Sequence, residues 1–172
     1  MAFPACCSFS CVQQAVKSGR LDHHDQLVHE LLDALKCEIQ SIGLDQCMNS
    51  HVKSYILWPI IDINKRLRRG RPDIRFSNVV IEVEAPRRGV GPAKRNQLFG
   101  YMQQLAQLAP GSPIFGVVTD GAVAEWWELG GDQPTCRMSG DMSDVMRAML
   151  HAFCSREIRV VTPDDLIEVF GI

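Results

Sequence analysis

No stretch of this chain approaches the roughly 18 consecutive apolar residues that a membrane-crossing helix requires. The segment Met1 to Lys17 lacks the basic lead and unbroken apolar core of a secretory signal. A cytoplasmic protein with no membrane association is the expectation. Cysteine is present seven times, at positions 6, 7, 11, 37, 47, 136 and 154, but never in a CxxC pair. That spacing excludes a zinc ribbon and a thioredoxin-like motif, and the odd number suits reduced thiols in a reducing compartment. Neither a helix-turn-helix nor a zinc finger is evident, and there is no internal repeat or low-complexity segment. Net charge is also small, −2, so the chain as a whole has no attraction for nucleic acid.

What is present is a soluble globular composition: 172 residues, 46% hydrophobic and 22% charged, enough for one domain with a sizeable core. Residues 1–20 show little periodicity and read as a leader or a short pre-helix, with a single domain over 21–172. Charge is unevenly placed. Ten of the 18 lysines and arginines fall between Lys65 and Arg95, which is the pattern of a polyanion-binding face, because each neutralised phosphate releases condensed counterions. The bland alternative is a solvated charged loop.

Periodicity predicts a helix from Asp22, carried by Leu27, Leu31, Leu32, Leu35 and Ile39 and stopped by Gly43. Tyr55 to Ile63 reads as a strand with an edge or bend at Pro59. Ile74–Phe76 and Val79–Val83 form a hairpin around Ser77-Asn78, and Ala93 to Leu108 is a helix stopped by Pro110. Ile114–Val118 and Val123–Leu129 form a second hairpin around Asp120-Gly121. Ser143 to about Arg156 and Pro163 to Phe170 are the last helices, the latter capped by Thr162. The order helix, strand, hairpin, helix, hairpin, helices describes an α/β fold: a mixed central β-sheet flanked by helices on both faces.

The chemistry concentrates at Arg71-Pro72-Asp73-Ile74-Arg75 and Ile81-Glu82-Val83-Glu84-Ala85-Pro86. Side chains two apart on a strand face the same way, so Glu82 and Glu84 point together, and hairpin pairing brings Asp73 beside them. Three carboxylates on one patch repel each other. A hard divalent cation relieves that repulsion, and carboxylate with backbone carbonyl is the donor set Mg²⁺ prefers. The competing reading places both glutamates on a solvated face, bridged to neighbouring arginines. His23, His24 and His29 gather near a helix start, but His23 and His24 cannot share a helix face, so they read as ordinary surface residues. Trp126 and Trp127 alternate across a strand, one in the core and the other covering a face.

These segments resemble the PD-(D/E)xK nuclease superfamily, the restriction-endonuclease-like fold. Pro72-Asp73 resembles its first motif and Glu82-Val83-Glu84 its second. Gln97-Leu98-Phe99-Gly100-Tyr101 is similar to the QxxxY motif of the helicase–nuclease branch. Phe115 to Gly121, leading to Trp126-Trp127, is similar to a strand–turn–strand in nuclease domains of restriction–modification enzymes. The resemblance covers roughly residues 22 to 130. It implies a Mg²⁺ (or Mn²⁺) site formed by Asp73, Glu82 and the carbonyl of Val83. Gln97 and Tyr101 would orient the site or touch a phosphate. An acidic residue on the first helix would reach the metal: Glu30, with Asp25 and Asp33 as rivals.

One position departs from the pattern. The motif lysine is replaced by Glu84, which either binds metal or serves as a general base, or whose task has passed to Lys94 on the next helix, or been lost. The expected activity is hydrolysis of DNA phosphodiester bonds by a metal-dependent endonuclease of a restriction or phage-defence system. Arg71, Arg75, Arg87, Arg88, Lys94 and Arg95 would grip flanking phosphates. Partners would be DNA and methyltransferase, helicase or specificity domains or subunits, and double-strand cutting would call for a homodimer. The alternative is a non-catalytic DNA-binding or assembly module on the same fold.

Overall fold

Three short β-branched runs and one helix between them decide the architecture. The computed structural model describes residues 8–42, 62–63 and 72–155. In chain order these form α1 (Phe9–Lys17), α2 (His24–Ile42), β1 (Asp62–Ile63), β2 (Ile74–Phe76), β3 (Val79–Val83), α3 (Pro92–Leu108), β4 (Ile114–Thr119), β5 (Val123–Leu129), β6 (Thr135–Asp141) and α4 (Met142–Ser155). The strands make one sheet in the order β1-β2-β3-β4-β5-β6. All neighbours are antiparallel except β3 and β4, which run parallel. Parallel neighbours need a crossover, and α3 supplies it.

β3 and β4 lie centrally, and every residue of both is buried. Alternation along them divides the core in two. Val79, Ile81, Val83, Phe115, Val117 and Trp126 pack with α1, α2 and α4 on one face. Val80, Val118, Ile114 and Leu129 pack with Leu98, Met102 and Leu105 of α3 on the other. Burying each such side chain contributes roughly 1.5–3 kcal/mol. α3 lies close to the sheet because β4 presents Gly116 beneath it: a Cβ there would sit 2.4 Å from Met102 Sδ and 3.1 Å from Leu98 Cδ2. The chain is thus an α/β fold with helices on both faces of a mixed sheet, and among the described residues no helix is long and apolar enough to cross a membrane.

The hairpin at Ser77-Asn78 and the one at Asp120-Gly121 form as the turn residues imply. Ser77 takes a left-handed φ of 46°. Asp120 is buried and organises its turn, Oδ1 accepting from the amides of Ala122 and Val123, each at 2.9 Å. Trp126 stacks on Phe115 while Trp127 meets Phe99 edge to face, so the two rings part across the strand as expected.

Two elements escaped the sequence reading. Residues 8–20, expected within a leader, are part of the core: Ser8 caps α1 by accepting from the Cys11 amide, and Phe9, Val12 and Val16 have no exposed surface. α1 also accepts the chain's second hairpin, because Gln13 Nε2 donates to Ala122 O at 2.9 Å and to Asp141 Oδ1 at 2.8 Å. β6 is the other. Its sequence, TCRMSGD, is almost wholly exposed or half-exposed, so no apolar alternation marks it; pairing to β5 makes it a strand. Of the Tyr55–Ile63 strand only Asp62–Ile63 falls in the described residues, and the expected Pro163–Phe170 helix lies outside them.

Candidate active site

The register of the β2–β3 hairpin sets the site. Ile74 pairs with Ile81 and Arg75 with Val80, so Asp73, one residue before β2, comes opposite Glu82. The two are laced together through their backbones. The Asp73 amide donates to Glu82 Oε1 at 3.3 Å, and the Val83 amide donates to Asp73 Oδ2 at 2.8 Å. Glu82 shares the face of Val80, under the N-terminal turn of α3, and its side chain has no exposed surface. A buried carboxylate needs a partner. α3 provides one: Lys94 Nζ lies 3.2 Å from Glu82 Oε2 and 3.5 Å from Asp73 Oδ2.

Glu84 follows Glu82 on the same side of the strand. Its amide donates to Thr119 O at 2.7 Å, its Oε1 accepts from the Ala85 amide at 2.9 Å, and its charge also acts on Lys94. The lysine-bearing position of the resembled motif is therefore acidic, but an ammonium reaches the strand carboxylates from the next helix instead.

The electrostatics follow from burial and like charge. Burial, with the Asp73 carboxylate second, pushes Glu82 up to about 7, although Lys94 pulls it down. Burial works against the Lys94 ammonium, yet Glu82 and Asp73 outweigh it and its pKa is raised. A second basic side chain enters from α2. His24 Nε2 donates to the Val83 carbonyl at 3.1 Å and lies 3.6 Å from Asp73 Oδ2, while Nδ1 lies 3.0 Å from Asp25 Oδ1. Both ring nitrogens face acceptors, which suits the imidazolium. Burial opposes that charge, but Asp25 and Asp73 prevail and the pKa is raised.

His24 was read from the sequence as an ordinary surface residue. The only signal for it was its place at the start of α2, and that does not say which strand the helix start meets. Glu30, offered as the helix acid, lies further along α2, and His24 of that helix reaches Asp73.

The remaining candidates divide. Gln97 and Tyr101 do come together, Gln97 Nε2 donating to the Tyr101 hydroxyl at 3.2 Å, one turn beyond Lys94. Arg87 and Arg88 are exposed in the loop between β3 and α3. That loop is held by Asp120, whose Oδ2 accepts from the Gly89 amide at 2.7 Å, and Arg87 takes a left-handed φ of 62° within it. Two other arginines expected on a DNA-facing surface are elsewhere. Arg75 is 6% exposed, on the sheet face covered by α3, as its pairing with Val80 dictates. Arg95 is committed to Glu125 by a two-pronged ion pair, both contacts at 2.6 Å, with Trp127 Nε1 also donating to Glu125. Arg71 lies outside the described residues.

The donor chemistry tests whether a divalent cation suits the place. Mg²⁺ is commonly held by one or two carboxylates and keeps several waters. Asp73, Glu82 and the Val83 carbonyl meet that requirement; the third carboxylate expected to converge with them, Glu84, has its Oε1 on the Ala85 amide. Among the described residues no group of three or more His, Cys, Asp or Glu side chains forms a metal cage, which a water-rich Mg²⁺ site does not need. An ammonium lying between the two carboxylates marks a point where positive charge is favourable.

No family model, no curated protein and no solved structure matches the chain. The functional reading rests on the geometry of these side chains.

Proposed function

We propose that this chain is the hydrolytic domain of a divalent-metal-dependent DNA endonuclease of the PD-(D/E)xK kind, acting in the cytoplasm in a restriction or phage-defence setting. The observation that carries the reading is Lys94 Nζ between the carboxylates of Glu82 and Asp73, which come from neighbouring strands. Two acids and a lysine are the resembled family's core set, and here the lysine is delivered by α3 rather than by β3.

In this reading Asp73, Glu82 and the Val83 carbonyl hold Mg²⁺ or Mn²⁺, with Glu84 available beside them. The bound ion would lower the pKa of water and neutralise phosphate charge. The chain's own groups do the rest. Lys94, kept protonated by its two carboxylates, steadies charge developing on the scissile phosphate. Glu84, half-buried and two residues after Glu82, would take a proton from water. The Val83 amide fixes the Asp73 rotamer, and His24 Nε2 donates to the Val83 carbonyl. Arg87 and Arg88 meet the flanking phosphates, which positions DNA without reading it. Partners of this domain would be methyltransferase, helicase or specificity units, and double-strand cutting would use a homodimer.

A second reading has one observation in its favour. The Lys94 ammonium already offsets the acids, so the cluster is self-sufficient as a structural ion pair, as in a module that kept the fold and lost catalysis.

Incubation of plasmid DNA with Mg²⁺ or Mn²⁺ separates the two. The endonuclease reading expects nicking by the parent chain, lost in Asp73→Ala and in Lys94→Ala. Nicking that survives Asp73→Ala rules the site out. No nicking by the parent, but nicking by Glu84→Lys, supports the non-catalytic module.

A further inference from the structure

The end of α1 meets the loop between β3 and α3, and two arginines distant in the chain meet with them. Gly19 follows α1 with a left-handed φ of 76°, and a Cβ there would lie 3.4 Å from Arg87 Nη1 and 3.9 Å from both Cζ and Nη2. The Arg87 guanidinium is therefore laid along the backbone at Gly19. Arg20 comes next in the chain and folds back over the same turn, its Nε donating to Ser18 Oγ at 3.3 Å. Both arginines are exposed, and among the described residues neither guanidinium is paired with a carboxylate. Lys17, in the last turn of α1, differs: its ammonium lies 3.0 Å from Asp141 Oδ1.

A helix C-terminus carries roughly half a negative charge and attracts a cation. Arg87 alone more than neutralises that charge, so Arg20 beside it leaves about one and a half positive charges on one turn. Folding gains nothing from gathering like charges there. The backbone also holds Arg87 in place at some cost. Its φ of 62° is left-handed, a conformation that a non-glycine residue keeps only where its neighbours over-determine it. Asp120 does so, its carbonyl accepting from the Arg87 amide at 3.4 Å and its Oδ2 from the Gly89 amide at 2.7 Å. The carboxylates are near. Arg20 is four residues before His24 and Arg87 four after Val83, and His24 Nε2 lies 3.1 Å from the Val83 carbonyl. Four residues span at most about 14 Å, the length of a few phosphates along one strand.

We infer that Arg20 and Arg87 clamp one backbone phosphate of a DNA strand, a few nucleotides from the phosphate presented to Asp73, Glu82 and Lys94. The choice of DNA rests on the endonuclease reading, which the clamp deepens by adding the end of α1 to the surface that holds the strand. Guanidinium suits the task, being permanently charged and offering forked donors that match two phosphate oxygens.

The test is the salt dependence of affinity for one labelled DNA duplex, read by fluorescence anisotropy of the full chain in EDTA. Arg20→Ala should lower the slope of log affinity against log salt by about 0.9, one phosphate contact, and Arg20→Lys should restore it. Lys17→Ala removes the same charge from the same helix end, but from a residue already paired with Asp141, and should leave the slope unchanged. In an Arg87→Ala background, Arg20→Ala should cost at least about twofold less affinity than in the parent, because the two side chains share one phosphate. Unchanged thermal melting would show that each variant is folded. No DNA binding by the parent, an unchanged slope in Arg20→Ala, an equal change in Lys17→Ala, or full additivity of the two arginines overturns the inference. Plasmid nicking with Mg²⁺ is read separately. Nicking with no role for Arg20 in binding leaves the endonuclease reading standing alone, and an Arg20-dependent slope without nicking leaves the clamp standing alone.

Discussion

Replacing Lys94 by methionine keeps the bulk of the side chain on α3 and removes the ammonium that lies 3.2 Å from Glu82. Glu82 has no exposed surface, so it answers the loss by holding its proton more tightly. In the parent its pKa is already pushed up to about 7, from an ordinary value of 4.5. A raised folded-state pKa means that the folded form binds the proton better than the unfolded chain does. Glu82 therefore costs nothing at low pH and costs progressively more as pH rises from 4.5 to its folded pKa, where the penalty levels off. Without Lys94 the folded pKa moves above 7, and the penalty keeps growing where the parent's has levelled. At about 1.4 kcal/mol per pH unit, the added cost is near zero below roughly pH 6 and reaches at most about 2 kcal/mol at roughly pH 8.5. For a chain of this size that corresponds to a melting temperature lower by about 4–8 °C at the alkaline end. Thermal melts of parent and Lys94→Met across this range test it, each with and without Mg²⁺. If the two acids also attract a divalent ion, the variant, relieved of the competing ammonium, should gain more from Mg²⁺ than the parent does. A destabilisation that is equal at both ends of the range and untouched by Mg²⁺ would refute the electrostatic account of the site.

Other expectations bear on different parts of the molecule. Gly121→Ala should destabilise by about 2 kcal/mol or more, because Gly121 has a φ of +83° and a Cβ there would lie 2.7 Å from Val16 Cγ2 and 2.9 Å from Leu27 Cδ1; faster amide hydrogen exchange in α1 would report it. Removal of residues 1–17 should yield insoluble or molten protein by near-UV circular dichroism and solubility assay, since Phe9, Val12 and Val16 leave the core. Arg87→Ala and Arg88→Ala should each flatten the salt dependence of DNA affinity by about one phosphate contact, whereas Arg95→Met should leave that slope alone and show its effect as lost stability at neutral pH. Its partner Glu125 has a pKa lowered chiefly by the Arg95 hydrogen bond, so the pair stabilises above the ordinary carboxylate range. That contribution fades as pH falls through the folded value, and acid titration of parent and variant should converge there.

Much of this protein could be read before any coordinates. The β-branched runs in Val79–Val83 and Ile114–Val118, the turn residues at Ser77-Asn78 and Asp120-Gly121, and the helical spacing from Leu27 to Ile39 are local signals, and local backbone preference is enough to honour them. The pairing of Asp73 with Glu82 was legible for the same reason: a two-residue turn fixes the register, and register fixes which side chains share a face. α1 was legible only as a leader or short pre-helix outside the domain, because a nine-residue helix holds its shape mainly through the tertiary core it enters. β6 was not, because an exposed edge strand needs no apolar pattern and borrows its conformation from β5. Arg75 and Arg95 were counted as surface charge, since a cluster of cations in sequence says nothing of which ones the sheet buries or which an acid on β5 will claim.

The linear chain determined where the carboxylates lie and that two of them must converge, since neighbouring strands joined by a tight turn leave them no other arrangement. Only the tertiary structure decided which basic side chains meet them. Lys94 lies 12 residues from Glu82 and His24 lies 59 from Val83, and they arrive because α3 packs over Gly116 while α2 covers the opposite face of β3. Contacts of that span are set by how helices seat on a sheet, which depends on packing across the whole core rather than on any local run of residues.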